Sequence, residues 1–212
     1  SKLLTILEKK GLLKNIRFRI KINKKIPSKA GLGGGSMNAA NIFKFFIKKN
    51  IFRINKKEIK TISKKIGSDV ILGLNSSNSI LNAKNEIKYF NNCEKFYILI
   101  VKPSFGCSTK KIYSEVKKFS KPILSHPKKK MFNLDYLKKM NNSLEPIAFS
   151  RYNKLRSIKL FLENLSKPVF VRMTGSGSAI VAYFKSKQRC EDAKKQFKRK
   201  YKNYWCIASK TI

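Results

Sequence analysis

Four glycines within five positions, in the run Pro27-Ser28-Lys29-Ala30-Gly31-Leu32-Gly33-Gly34-Gly35-Ser36-Met37-Asn38-Ala39-Ala40, constrain this chain more than any other stretch. Before the run, Ile16, Phe18, Ile20 and Ile22 alternate with Arg17, Arg19 and Lys21, the period-two signature of a strand with one wet face. After it, Ala39, Ala40, Phe43, Phe46 and Ile47 recur at helical spacing, so a helix is expected from Ser36. Strand, glycine loop and helix in direct succession make a natural anion site. Glycines let the backbone turn sharply and approach a ligand, successive N–H groups form a nest, and the helix directs its positive end into the loop. The loop is not of the Walker A type, because no Gly-Lys-Ser/Thr follows, and Ser36 stands where a dinucleotide fingerprint has its third glycine. A bare strand-to-helix connection needs far fewer glycines. The surplus points to a bound phosphate.

The rest of the chain alternates helical and strand patterns. Leu3, Leu4, Ile6 and Leu7 form a helix-spaced stripe ended by Gly11, and Lys56 to Ile66 places Ile59, Ile62 and Ile66 on one side before Gly67. Asn75 to Phe90 is polar with short β-type pieces. Phe96 to Val101 is an apolar run closed by Pro103, as in a buried strand, and Ser108 can cap a helix through Ile112, Val116 and Phe119. Ser120 to Lys130 is a loop, followed by helical patterns at Leu134 to Met140 and Leu155 to Leu165. Strands at Val169 to Met173 and Ala179 to Phe184 flank a Gly-Ser turn. A helix bearing Cys190, Ala193 and Phe197 then leads to a last strand, Tyr204 to Ile207. The pattern is that of a layered α+β protein, with a boundary expected near Asn91 between residues 1–91 and 92–212.

The net charge of +38 raises the question of nucleic acid. Only eight of the 49 basic residues are arginine, the residue that reads bases and stacks; the others are lysines spread along the whole chain beside abundant Asn and Ile. All three have A/T-rich codons, so a biased genome accounts for the charge without a nucleic-acid function. Binding to nucleic acid should therefore be blind to sequence and lost on adding salt. Tight, sequence-selective gel shifts at physiological salt would contradict this. No stretch approaches the roughly 20 unbroken apolar residues of a membrane helix. Cys93, Cys107, Cys190 and Cys206 lack Cys-x-x-Cys spacing, and a single histidine, His126 in a Lys-rich loop, is too few for a usual zinc site. No metal-ligating set is expected. A reducing cytoplasm fits best, with Cys206 expected in the core and the other thiols open to exposure.

Two weaker motifs accompany the glycine loop. Gly67-Ser68-Asp69-Val70 reads either as a helix cap or as a carboxylate placed for proton transfer. Arg172-Met173-Thr174-Gly175-Ser176-Gly177-Ser178-Ala179 reads as a hairpin turn or as a second small-residue loop facing the first. Taken in order, Pro-x-x-x-Gly-Leu-Gly-Gly-Gly-Ser, Gly-x-x-Asp-Val and Met-Thr-Gly-Ser-Gly-Ser resemble the galactokinase–homoserine kinase–mevalonate kinase superfamily. Asn38 to Ala40, Val101-Lys102-Pro103, Ser108-Thr109 and Asn142-Ser143-Leu144-Glu145 are most similar to its branch on the non-mevalonate route to isoprenoids, whose members phosphorylate a diphosphocytidyl sugar alcohol.

The resemblance implies a two-domain α+β kinase fold: an ATP-binding N-terminal domain and a ferredoxin-like C-terminal one. It implies that Pro27, Ser28, Lys29, Ala30, Gly31, Leu32, Gly33, Gly34, Gly35, Ser36 and Met37 bind ATP phosphates and that Asp69 is the catalytic base. Thr174, Gly175, Ser176 and Gly177 would close over the phosphate or substrate, and Mg²⁺ would accompany ATP by bridging its phosphates. The expected partner is a small molecule, with no specific nucleic acid and no membrane, on a monomer or homodimer. Two departures stand out. Met37 occupies a position where these kinases usually carry a second Ser. Their Pro-Ala-Lys-(Ile/Leu)-Asn-Leu strand and the Asp-Gly-Tyr-His stretch after it are not in this sequence, so the N-terminal domain is expected to be incomplete and these 212 residues alone to turn over little or nothing. Mevalonate or homoserine kinase is the neighbouring alternative, and a basic nucleic-acid-binding α+β module the alternative from another class.

Overall fold

A computed structural model describes residues 1–14, 16–84, 86–118 and 123–212. Contacts divide the chain into two units: Ser1–Ile26 with Gly33–Ser77, and Pro27–Leu32 with Asn78–Ile212.

The first unit is helical. Helix α1 (Lys2–Lys9) begins at Ser1, whose hydroxyl accepts from Leu4 N, and helix α2 (Gly34–Lys48) follows Gly33. Helix α3 (Lys56–Ile66) opens with a capping box in which Asn55 Oδ1 accepts from Glu58 N (3.0 Å) and Glu58 Oε2 accepts from Asn55 N (2.9 Å). A short 3-10 turn spans Val70–Leu74. Leu3, Leu7, Leu13, Phe43, Phe46, Phe52 and Ile62 form the core, so each apolar stripe read from the sequence does face inward.

The segment Ile16 to Ile22 departs from expectation. It belongs to neither sheet among the described residues. Phe18 packs on Phe46 at 4.5 Å between ring centroids, while Ile16, Ile20 and Ile22 are 45%, 39% and 53% exposed. Alternation fixes which face of a segment is apolar, but a strand also needs a hydrogen-bonded neighbour, and that is a non-local property.

The second unit carries the sheets. A hairpin of β1 (Asn78–Leu81) and β2 (Ile87–Phe90) is followed by β3 (Tyr97–Lys102), helices α4 (Thr109–Ser114), α5 (Leu134–Lys139), α6 (Glu145–Arg151) and α7 (Asn153–Glu163), then β4 (Phe170–Met173), β5 (Ile180–Phe184), α8 (Lys187–Lys200) and β6 (Trp205–Lys210). The four long-range strands run antiparallel in the order β4-β5-β3-β6. That order, with helices against one face, gives the ferredoxin-like α+β architecture. Leu99 and Val101 of β3, Val171 and Met173 of β4, and Ile180, Ala182 and Phe184 of β5 turn to that face. There they meet Leu155, Ile158 and Leu162 of α7 and Cys190, Ala193 and Phe197 of α8. Each strand contributes every second residue, as the pleat requires.

Several sequence expectations shift here. The contact boundary lies between Ser77 and Asn78, upstream of Asn91, and the hairpin stays with the second unit, where Asn78 Nδ2 donates to the Ile212 carbonyl at 2.9 Å. Helix α6 forms where the sequence pattern indicated none, and it contains Pro146. The proline falls in the first turn, where a missing N–H costs nothing. Helix α4 ends at Ser114, short of Val116; Phe119 and residues 120–122 of the expected loop lie outside the described residues. The cysteines are more buried than expected: Cys93, Cys107 and Cys190 are buried, and Cys206, on the sheet's edge strand, packs against the core with part of its surface exposed. Burial pushes the thiols of Cys107, Cys190 and Cys206 up to about 11, so they remain protonated and unreactive near neutrality. Among the described residues no helix is long and apolar enough to cross a membrane.

Candidate active site

The glycines of the 27–37 run serve three physical purposes. Gly33 has φ +63°, the left-handed conformation that turns the chain into α2, and its carbonyl accepts the first helical bond from Met37 N at 2.9 Å. Helix α2 thus starts at Gly34, two residues earlier than Ser36. Gly31 is required by packing, as described below. Gly34 and Gly35 are required by neither: both are helical, and a Cβ built on either would meet nothing within 4 Å. Glycine at the first turn of a helix is unfavourable to the helix itself, so the space above this N-terminus is the feature those two positions preserve.

The same unit brings the Gly67 motif to that helix end. A Cβ on Gly67 would lie 3.9 Å from Ser36 Oγ. Two residues on, Asp69 is exposed, accepts from Ser68 Oγ at 3.1 Å, and makes no side-chain cap bond to the 3-10 turn it precedes. The capping explanation of this aspartate therefore lacks its defining hydrogen bond. Met37 is accounted for as well. Its thioether lies against Gly73, where an added Cβ would come within 2.8 Å of Sδ, so the side chain joins the packing of α2 on the Val70–Leu74 turn. A cavity of about 430 Å³ opens beside Gly35, Ser36 and Asn38, with Ile22, Ile66 and Val70 among its apolar walls.

In the second unit, the two small-residue loops meet. Thr174 to Ala179 joins β4 to β5, so it is a hairpin connection, and it also grips Lys29, Ala30 and Gly31. Ser178 N and Ala179 N donate to the carbonyls of Lys29 (3.3 Å) and Ala30 (3.0 Å), and Thr174 Oγ1 donates to the Gly31 carbonyl at 3.1 Å. Gly31 has φ +69°, and a Cβ there would sit 2.3 Å from the Thr174 carbonyl oxygen; one on Gly175 would sit 2.8 Å from the Gly31 carbonyl oxygen. Lys29, without glycine's freedom, is held at φ +53°, a conformation that costs about 1 kcal/mol or more and persists where surroundings impose it. Gly106 completes the fit: its missing Cβ would overlap that of Lys29 at 2.5 Å.

Further side chains that the sequence reading left without a role hold this loop. Asn142 Nδ2 donates to the carbonyls of Met173 (2.9 Å) and Gly175 (2.8 Å). Glu145 accepts from Met173 N at 2.7 Å with one carboxylate oxygen and pairs with Lys159 through the other. Thr109 and Ser176 share a hydroxyl–hydroxyl bond of 2.8 Å. The signal was present in the sequence, since Ser108-Thr109 and Asn142 to Glu145 stood out as landmarks. Their bonding partners lie far along the chain and could not be read there.

Residues 2–82, which include the Pro27 to Met37 loop but not the Thr174 to Ala179 loop, match the family described as GHMP kinases N terminal domain. A 4-diphosphocytidyl-2-C-methyl-D-erythritol kinase of Pelagibacter ubique (strain HTCC1062) is 55% identical over 212 residues, covering 100% of this chain and 75% of the relative. One from Clostridium tetani (strain Massachusetts / E88) is 34% identical over 204 residues, 91% of this chain and 70% of its own length. The chain belongs to this family of GHMP kinases. Among solved structures, a 4-(cytidine 5'-diphospho)-2C-methyl-D-erythritol kinase aligns with TM-score 0.77 at 22% identity, over 98% of this chain and 75% of that one. A homoserine kinase from Cytophaga hutchinsonii aligns with TM-score 0.70 at 13% identity, over 100% and 74%. These two structures share the fold.

Proposed function

We propose that this protein transfers the terminal phosphoryl group of ATP to a hydroxyl of 4-diphosphocytidyl-2-C-methyl-D-erythritol, in isoprenoid-precursor synthesis. The observation that carries this reading is the open helix N-terminus at Gly34 and Gly35, two glycines that neither backbone conformation nor protein packing demands. The 55% identity to a kinase of that name supports the choice of substrate.

In this reading, backbone N–H groups of the Pro27 to Met37 run and the positive end of α2 hold the ATP phosphates. Asp69 accepts the proton of the substrate hydroxyl as its oxygen forms a bond to the γ-phosphorus; the bond from that phosphorus to the β,γ-bridging oxygen breaks, and ADP leaves. Asp69 suits the part because it is exposed and not committed to a cap. Thr174 to Gly177 border the phosphate or substrate side. Among the described residues no three His, Cys, Asp or Glu side chains gather into a metal-binding group. In this reading a Mg²⁺ ion would be carried mainly by the phosphates, with Asp69 the carboxylate able to assist. When bound, the ion would neutralise charge on the transferring group. Four free thiols suit a reducing cytoplasm.

The test is a coupled ADP-release assay with Mg-ATP, offering diphosphocytidyl-methylerythritol, mevalonate and homoserine in parallel. It should be run on this chain and on a form carrying the family's N-terminal strand. Turnover restricted to the first substrate is expected; preference for either of the others would overturn the assignment.

A further inference from the structure

Lys102 is a charged side chain that the proposed chemistry does not use, yet it is only 5% exposed. It ends β3 beneath the turn that carries Gly106, the residue against which Lys29 packs. Its ammonium donates to two neutral acceptors, the carbonyls of Pro103 (2.8 Å) and Phe105 (2.9 Å). Burying a lysine is costly, and desolvation draws this one below the ordinary lysine range. Methionine would fill the same space without a charge, so packing alone does not explain the residue.

The Phe105 carbonyl is the point where this lysine meets the nucleotide loop. That oxygen accepts a second bond, from Ser178 Oγ at 2.9 Å. Ser178 in turn donates through its backbone N–H to the Lys29 carbonyl at 3.3 Å, and Ala179 N donates to Ala30 at 3.0 Å. Lys102, Phe105, Ser178 and Lys29 thus form one continuous chain of hydrogen bonds from a buried cation to the strained residue of the loop. On the opposite side, Cys107 sits under Gly177, where an added Cβ would lie 3.1 Å from Sγ, so the Pro103–Cys107 turn touches both small-residue loops.

We infer that Lys102 is a positioning residue for ATP: by fixing the Phe105 carbonyl it fixes Ser178, and through Ser178 it sets the backbone of Lys29 to Gly31 in the shape that receives phosphate. The inference rests on the phosphate role proposed for that loop. Lys102 touches no reacting atom. Its loss should loosen ATP binding and leave the chemical step, carried by Asp69, largely intact.

The experiment, run in the form carrying the family's N-terminal strand, compares wild type with Lys102→Met, Ser178→Ala and Gly34→Val. ATP affinity is measured by calorimetry, and KM and kcat by ADP release. Lys102→Met is expected to raise the Kd and KM for ATP about 10- to 100-fold, the scale of a misplaced binding group, with kcat and the KM for the alcohol substrate changing less than about threefold. Ser178→Ala removes the other bond to the same carbonyl and should move ATP affinity in the same direction, which keeps the test open should Lys102→Met fail to fold. Wild-type ATP affinity in either folded variant, with Gly34→Val unable to bind, overturns the role of Lys102 and leaves the phosphate loop standing. Normal binding by Gly34→Val removes the phosphate loop and this inference with it. A Lys102→Met protein that melts earlier and loses kcat in proportion to folded fraction, at unchanged KM, marks the lysine as merely structural.

Discussion

Replacing Gly34 with valine should collapse ATP affinity while leaving the fold almost untouched. The backbone there is helical, so a β-branched residue meets no conformational barrier, and valine is at least as good a helix former as glycine. A Cβ at this position meets no protein atom within 4 Å, so nothing in the unliganded molecule resists it. What it does meet is the space directly above the helix N-terminus. Two methyl groups there would hold a phosphate away from the N–H groups that should receive it, and each lost charge-assisted hydrogen bond is worth about 1.5–3 kcal/mol. Two such bonds correspond to a weakening of about 100-fold or more. Calorimetry should show the loss of binding, and a thermal melt without ATP should move by no more than a few degrees. Unchanged ATP binding in Gly34→Val would sink the nucleotide assignment.

The second large effect concerns Asp69. Asparagine keeps the shape of the side chain and can still accept from Ser68 Oγ, a 3.1 Å contact in the native protein, but it cannot take up a proton. In a form carrying the family's N-terminal strand, turnover of Asp69→Asn should therefore fall about 10²- to 10⁴-fold, the range for loss of a general base, with ATP affinity retained. A helix cap would give another signature: lower thermal stability at near-normal turnover. The two outcomes separate cleanly, because the exposed aspartate makes no cap hydrogen bond whose loss could mimic an effect on folding.

Much of this architecture was legible from residue order because it depends on local rules. Helix α3 runs from Lys56 to Ile66 as its stripe of isoleucines and its closing Gly67 indicate, and β5 follows from the unbroken apolar run after Ala179. The glycine loop was legible for the same reason: a nest of N–H groups ahead of a helix is a property of consecutive residues. What remained hidden depended on partners distant in sequence. Ile16 to Ile22 has a strand's alternation but no neighbour to bond with among the described residues. Asn142 and Lys102 read as landmarks, and their purpose emerged only when Asn142 was found bonded to Gly175 and Lys102 to Phe105. The burial of the other cysteines was not legible because it depends on the face each side chain lands on once packed: Cys190 lies on the inward face of α8, while Cys206, opposite Val101 on the edge strand β6, packs against the core as its apolar run indicated.

The close approach of Gly31 and Gly175 also limits how this sequence can drift. A methyl group on Gly31 would lie 2.3 Å from the Thr174 carbonyl oxygen, and one on Gly175 would lie 2.8 Å from the Gly31 carbonyl oxygen. Elsewhere in a protein, an enlargement at one site can be offset by a reduction at its neighbour. Here the opposing atoms belong to the backbone, which no change of side chain can shrink. No compensating substitution exists, so every single-step mutational path through either position passes through a clash. The pair is frozen together. Efforts to widen nucleotide choice by directed evolution should leave both residues fixed.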